Sequence, residues 1–183
     1  MRYAAISCIR SARDGGLDAV LGTVSKERDM DGTVDHRLTA LGITLPDAPA
    51  PAANYVPFVR AGATLYVSGQ ISQSDAGLFV GKVGADISIS EAKDAARYCG
   101  LALIAQVKAA CGGNLDKVRR VVKITGFVNA TPEFSEHPEV INGCSDLMVQ
   151  VFGEAGRHAR AAVGAGSLPR GVQVEIEGVF EVD

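Results

Sequence analysis

Between Tyr55 and Ile71 the chain alternates apolar and polar residues on either side of Ala61-Gly62, a pattern that predicts two β-strands joined as a hairpin. The stretch 73–86 has no period and reads as a loop. Ser88 followed by Glu91 is a capping-box signature for a helix start. From there Ala92, Ala96, Cys99, Leu103, Val107 and Ala110 recur at helical spacing, which predicts one apolar stripe closed by Gly112-Gly113. A β-rich run over 117–130 places Val118, Val122, Ile124 and Val128 on one face. A second helix is expected to begin around His137-Pro138, with Ile141, Cys144, Met148 and Val151 as its buried stripe and Gly153 at its end. Segments 157–164 and 171–182 read as the last two strands; in the final one Val172, Val174, Ile176, Phe180 and Val182 alternate with Gln173, Glu175, Glu177 and Glu181.

The predicted order is β-β-α-β-α-β-β, two helices against one face of a mixed sheet, in a two-layer α+β domain. The other face would keep Val121, Phe127 and Val179 uncovered, which points to subunit association. The segment 44–53 holds three prolines and reads as an extended linker, so the compact domain is expected over 50–183 behind an extension over 1–49. Arg2, Arg10 and Arg13 carry a faint targeting character without a clean apolar region, and Met30 offers an alternative start.

Composition narrows the classes. The chain has 183 residues, 47% hydrophobic and 21% charged, enough for one ordinary core. A net charge of -3 with scattered Lys and Arg argues against a nucleic-acid partner. No apolar run approaches the roughly 20 residues that span a bilayer, so no membrane partner is expected. Cys8, Cys99, Cys111 and Cys144 form no metal-ligand spacing with His36, His137 or His158, so no metal is expected. Cysteines placed as small hydrophobes suit a reducing compartment, and the protein is expected in the cytoplasm.

The stretch 156–180, GRHARAAVGAGSLPRGVQVEIEGVF, raises the chemistry: Arg160 stands among small residues, and Glu175 and Glu177 interrupt an apolar strand. Successive side chains on one strand face lie about 7 Å apart, so both glutamates point off the face that Val174 and Ile176 bury. An antiparallel pairing of the last two strands would bring Arg160 beside Glu175. Two readings are open: a cross-strand ion pair on a solvated face, or an arginine that grips a ligand carboxylate while a glutamate handles a water.

The stretches YVPFVRAGATLYVSGQI, VVKITGFV and HARAAVG, with LP and VQVEIE after them, resemble the RidA/YjgF family of enamine/imine deaminases from about Ala50 to Val182. The resemblance implies a chorismate-mutase-like fold and a homotrimer whose sheets form a central barrel, with sites in clefts between subunits. It implies hydrolysis of small 2-imino acids such as 2-aminoacrylate to 2-oxo acids and ammonia, with no cofactor. Carried over by position, Arg160 matches the carboxylate-gripping arginine and Glu175 the water-orienting glutamate. Tyr55, Ser68 and Gly69 match pocket positions, and Asn142 matches an asparagine once a residue is inserted ahead of Arg160. Ala162 stands where many members carry a cysteine, which leaves substrate choice open. A non-catalytic trimer that holds a 2-oxo acid or similar carboxylate is the alternative.

Other features read as structural. His158 is expected at a surface or interface and His137 at a helix start. The glycine-rich 164–171 joins two strands rather than opening a helix, which argues against a phosphate cradle. Arg119 and Arg120 with Lys117 and Lys123 read as a solvated edge.

Overall fold

The computed structural model describes residues 33–48 and 54–183; the targeting signal, Met30, Cys8 and part of the proline segment lie outside them. Thr33 caps a short helix α1 (Val34–Ala40). Strands β1 (Phe58–Ala61) and β2 (Thr64–Ile71) form the expected hairpin, and a small hairpin of β3 (Gln73–Ser74) and β4 (Gly77–Leu78) occupies part of the predicted loop. Helix α2 (Ile89–Ala110) follows, then β5 (Val118–Asn129), helix α3 (His137–Phe152), β6 (Ala159–Ala165) and β7 (Val174–Val182).

The capping box forms as expected: the Glu91 amide donates to the Ser88 hydroxyl, and the Ser88 amide donates to the Glu91 carboxylate. The apolar stripes of α2 and α3 pack on one face of the sheet, with Leu103, Ile104, Ile141, Leu147, Met148, Ile176 and Phe180 fully buried between them. Burying one such side chain contributes about 1.5–3 kcal/mol, so this layer dominates the stability of the fold.

The five-stranded sheet runs β1-β2-β7-β5-β6, with β6 parallel to β5 and the other pairs antiparallel. This corrects the expected pairing of the last two strands. Helix α3 returns the chain to the starting end of β5, and a strand after such a crossover must run parallel to the one before it. The connection 166–173 then passes the end of β5 and lays β7 along its opposite side. Lys82 holds that connection: its Nζ donates to Asn129 Oδ1 at 2.9 Å and to the Gly166 carbonyl at 2.9 Å.

Two further expectations change. Val121 is fully buried on the helix side while Val122 is exposed, the reverse of the alternation read from the sequence. Irregularities in the β5–β7 register between Val118 and Arg120 and between Val121 and Lys123 shift the faces at the start of β5. The folded unit also reaches upstream of the boundary the prolines suggested, running Thr33–Asp183. Val34 and Leu38 are buried, and the Val34 amide donates to Asp116 Oδ1 at 2.8 Å.

Candidate functional site

Strand register decides where each candidate points. Ile124 of β5 pairs with Arg160 of β6, and Ile124 is buried under the helices, so Arg160 also faces α3. Phe127 pairs with Glu175, and Thr125 with Glu177, on the opposite, open face. Arg160 and Glu175 are therefore two strands and three residues apart, about 14 Å between Cα atoms, and they leave the sheet in opposite directions. The ion pair that an antiparallel hairpin would have made does not form. Each group stands in its own cluster.

Glu175 belongs to a groove of about 860 Å³ that Tyr55, Pro57, Gly69, Ile71 and Arg170 help to line. The register of β2 with β7 slips between Val67 and Gln70, which turns Gly69 toward Glu175 and sets Ile71 beside it. A Cβ at Gly69 would collide with Glu175 Oε1, so the missing side chain is what lets the carboxylate lie over the bulge. No donor among the described residues reaches that carboxylate. Burial raises the Glu175 pKa, and the negative charge of Glu177 raises it further. Ser68 shapes the wall from behind: its hydroxyl donates to the Val56 carbonyl at 2.8 Å and its amide to the Pro57 carbonyl at 3.0 Å. These bonds carry Tyr55 to the groove.

Arg160 builds the second cluster. Its Nη1 donates to Asn142 Oδ1 at 2.7 Å and to Ser145 Oγ at 3.1 Å, both on α3. Asn142 is itself oriented by donating Nδ2 to Glu139 Oε2 at 3.2 Å. Both protein bonds use one nitrogen, so the Nε–Nη2 edge of an exposed guanidinium makes no hydrogen bond among the described residues. That edge has the fork geometry that receives a carboxylate bidentately. Ala162 shares this face and packs against the core.

Sequence reasoning missed Ser145 altogether, although Asn142 and Ser145 share one helix face by their spacing. His158, expected at a surface or interface, is half-buried and hydrogen-bonded to Ser145 and to the Gly156 carbonyl. The buried thiols of Cys99 and Cys144 are structural: burial pushes both up, Cys144 to about 12. Among the described residues, no helix is long and apolar enough to cross a membrane.

A family model described as "YjgF/chorismate_mutase-like, putative endoribonuclease" matches residues 35–174 of this chain. The chain belongs to the YjgF/RidA family. It is 48% identical over 154 residues to protein TCP17 of Trypanosoma cruzi, covering 83% of this chain and 96% of that one. The crystal structure of Atu1372 from Agrobacterium tumefaciens superposes with a TM-score of 0.77 at 50% identity, covering 82% of this chain and 92% of its own. A 2-iminobutanoate/2-iminopropanoate deaminase of Dermatophagoides farinae is 28% identical over 146 residues, covering 77% of this chain and 95% of that one. The α+β fold expected from the sequence is the fold of this family.

Proposed function

We propose that the protein hydrolyses small 2-imino acids to 2-oxo acids and ammonia, at sites assembled between the subunits of a homotrimer. The observation that carries this reading is the state of Glu175: a partly desolvated carboxylate that no donor among the described residues reaches, facing a groove. Such a group serves poorly as an ion-pair partner and well as a base for water. The deaminase among the relatives supports the substrate class. Arg160, whose Nε–Nη2 edge makes no hydrogen bond among the described residues, supplies the grip on the substrate carboxylate.

The two clusters face opposite sides of one sheet, so one chain cannot close both on the same small molecule. Two copies can. The open face presents Val59, Tyr66 and Val163 at 53%, 52% and 44% exposure, an apolar surface suited to a neighbouring subunit. In the assembled site, Glu175 of one copy would meet a substrate held by Arg160 of the next. Tyr55 and Gly69 would line the first half, while Asn142 and Ala162 would support the second.

The chemistry asks little of the protein. A water oxygen bonds to the carbon of the protonated imine as the C=N π pair moves onto nitrogen, and one water proton passes to Glu175. The carbinolamine nitrogen then takes that proton, the C–N bond breaks to release ammonia, and Glu175 accepts the remaining hydroxyl proton as the carbonyl forms. An iminium conjugated to a carboxylate is already electrophilic, so placing the two reactants supplies most of the acceleration. Generating 2-aminoacrylate from serine with a dehydratase, and following pyruvate release with and without the protein, tests this. The reading predicts an acceleration that Arg160→Ala abolishes. No acceleration, with 2-oxobutanoate still bound, would instead make the protein a carboxylate-binding trimer.

A further inference from the structure

Behind Arg160 lies a chain of hydrogen bonds whose direction chemistry fixes. His158 Nδ1 stands 2.6 Å from the Gly156 carbonyl, and a carbonyl can only accept, so Nδ1 carries the ring proton. Burial first, and the nearby Arg160 charge as well, lower the His158 pKa against the opposing Gly156 bond, which favours the neutral ring. Its Nε2 then holds a lone pair, 3.1 Å from Ser145 Oγ, and the serine proton turns toward it. That orientation leaves a serine lone pair for Arg160 Nη1, which donates to Ser145 Oγ at 3.1 Å. Gly156, His158, Ser145 and Arg160 therefore form one polarised line, with Asn142 as a second anchor on the same Nη1.

Resting on the reading of Arg160 as the carboxylate grip, we propose that Ser145 and His158 are positioning residues: together they lock the Arg160 guanidinium by its Nη1 and so hold its Nε–Nη2 edge ready for the substrate carboxylate. An exposed arginine otherwise loses several rotatable bonds' worth of freedom each time it binds a ligand. The helix supplies Ser145 and Asn142 on one face, and the turn before β6 supplies His158. The guanidinium is thereby held by two side chains of α3, and His158 acts on it through Ser145.

Two measurements on the full chain separate this proposal from the assignment of Arg160 itself. Nitrogen-15 spectra read the guanidinium without any substrate. Distinct Arg160 Nη1 and Nη2 resonances are expected in the wild type, with His158 as the Nδ1–H tautomer. Ser145→Ala and His158→Phe should average the Arg160 resonances, and Ser145→Thr, which keeps the hydroxyl, should restore them. Resonances unchanged across these variants would overturn the clamp. The second measurement is 2-oxobutanoate binding by calorimetry, expected to weaken about tenfold in Ser145→Ala and to recover in Ser145→Thr. Equal affinity in both, with Arg160 released in the spectra, would overturn the link to carboxylate binding. A wild type that does not bind 2-oxobutanoate would remove Arg160 as the grip and with it that link, while the spectra still decide the clamp.

Discussion

Replacing Gly69 with alanine sets one methyl group against the Glu175 carboxylate and almost nothing else. The backbone at Gly69 lies outside the left-handed region, so alanine meets no conformational penalty there, and the nearest atoms to the new Cβ all belong to Glu175. Oε1 is the end of a flexible side chain and must move by roughly 1 Å to reach ordinary contact. Glycine inside a strand costs about 0.5–1 kcal/mol relative to alanine, which offsets the displacement, and the melting temperature should stay within a few degrees. Catalysis should not be spared. Misplacing a water-activating group by about 1 Å can lower turnover on the order of 100-fold, near 2.7 kcal/mol in the barrier. The assay is pyruvate release from 2-aminoacrylate, with 2-oxobutanoate affinity and thermal melting measured on the same sample. Wild-type turnover in Gly69→Ala would refute the claim that the Glu175 carboxylate acts from its position over the bulge. A collapse of the melting temperature would show that Gly69 is a packing position instead.

Other consequences follow from the same two clusters. Glu177 raises the Glu175 pKa, so Glu177→Gln should lower it and move the acid limb of the pH–rate profile to lower pH; an unmoved limb would separate that limb from Glu175. Because the folded-state pKa of Glu175 lies above its unfolded value, ionising it costs stability as pH rises through that window. Thermal melting should therefore show Glu175→Gln more stable than wild type at pH 7, with the gain disappearing below the ordinary carboxylate pKa. Arg160→Lys keeps the charge but loses the fork, and KM for the imine should rise at least about tenfold with a smaller change in kcat.

The layers of the fold were legible because the relevant signals are local. The capping box at Ser88 and Glu91, the stripe from Ala92 to Val107 and the alternation from Val174 to Val182 each depend on neighbours in sequence. Pairing was not local. Nothing in 157–182 distinguishes an antiparallel hairpin from a parallel edge strand followed by a return across the sheet; that information lies in the β5–α3–β6 crossover. The bulged register of β5 likewise cannot be seen in Val121 and Val122, which are equally apolar. For the site, residue types and strand faces made Glu175 and Arg160 visible as candidates. Their separation onto opposite faces became visible only once β5 was placed between them. Ser145 stayed hidden because a serine on a helix is chemically silent until His158 and Arg160 are brought to it.

Mixing two inactive variants tests whether Arg160 and Glu175 serve one site from different chains. If Arg160 and Glu175 act on one substrate from different chains, Arg160→Ala and Glu175→Gln subunits should complement each other once exchanged. Random assembly of equal amounts then pairs an intact Arg160 with an intact Glu175 at about a quarter of the sites. Recovery of about a quarter of wild-type pyruvate release from 2-aminoacrylate is expected. No recovery, with subunit exchange verified, would contradict a site shared between chains.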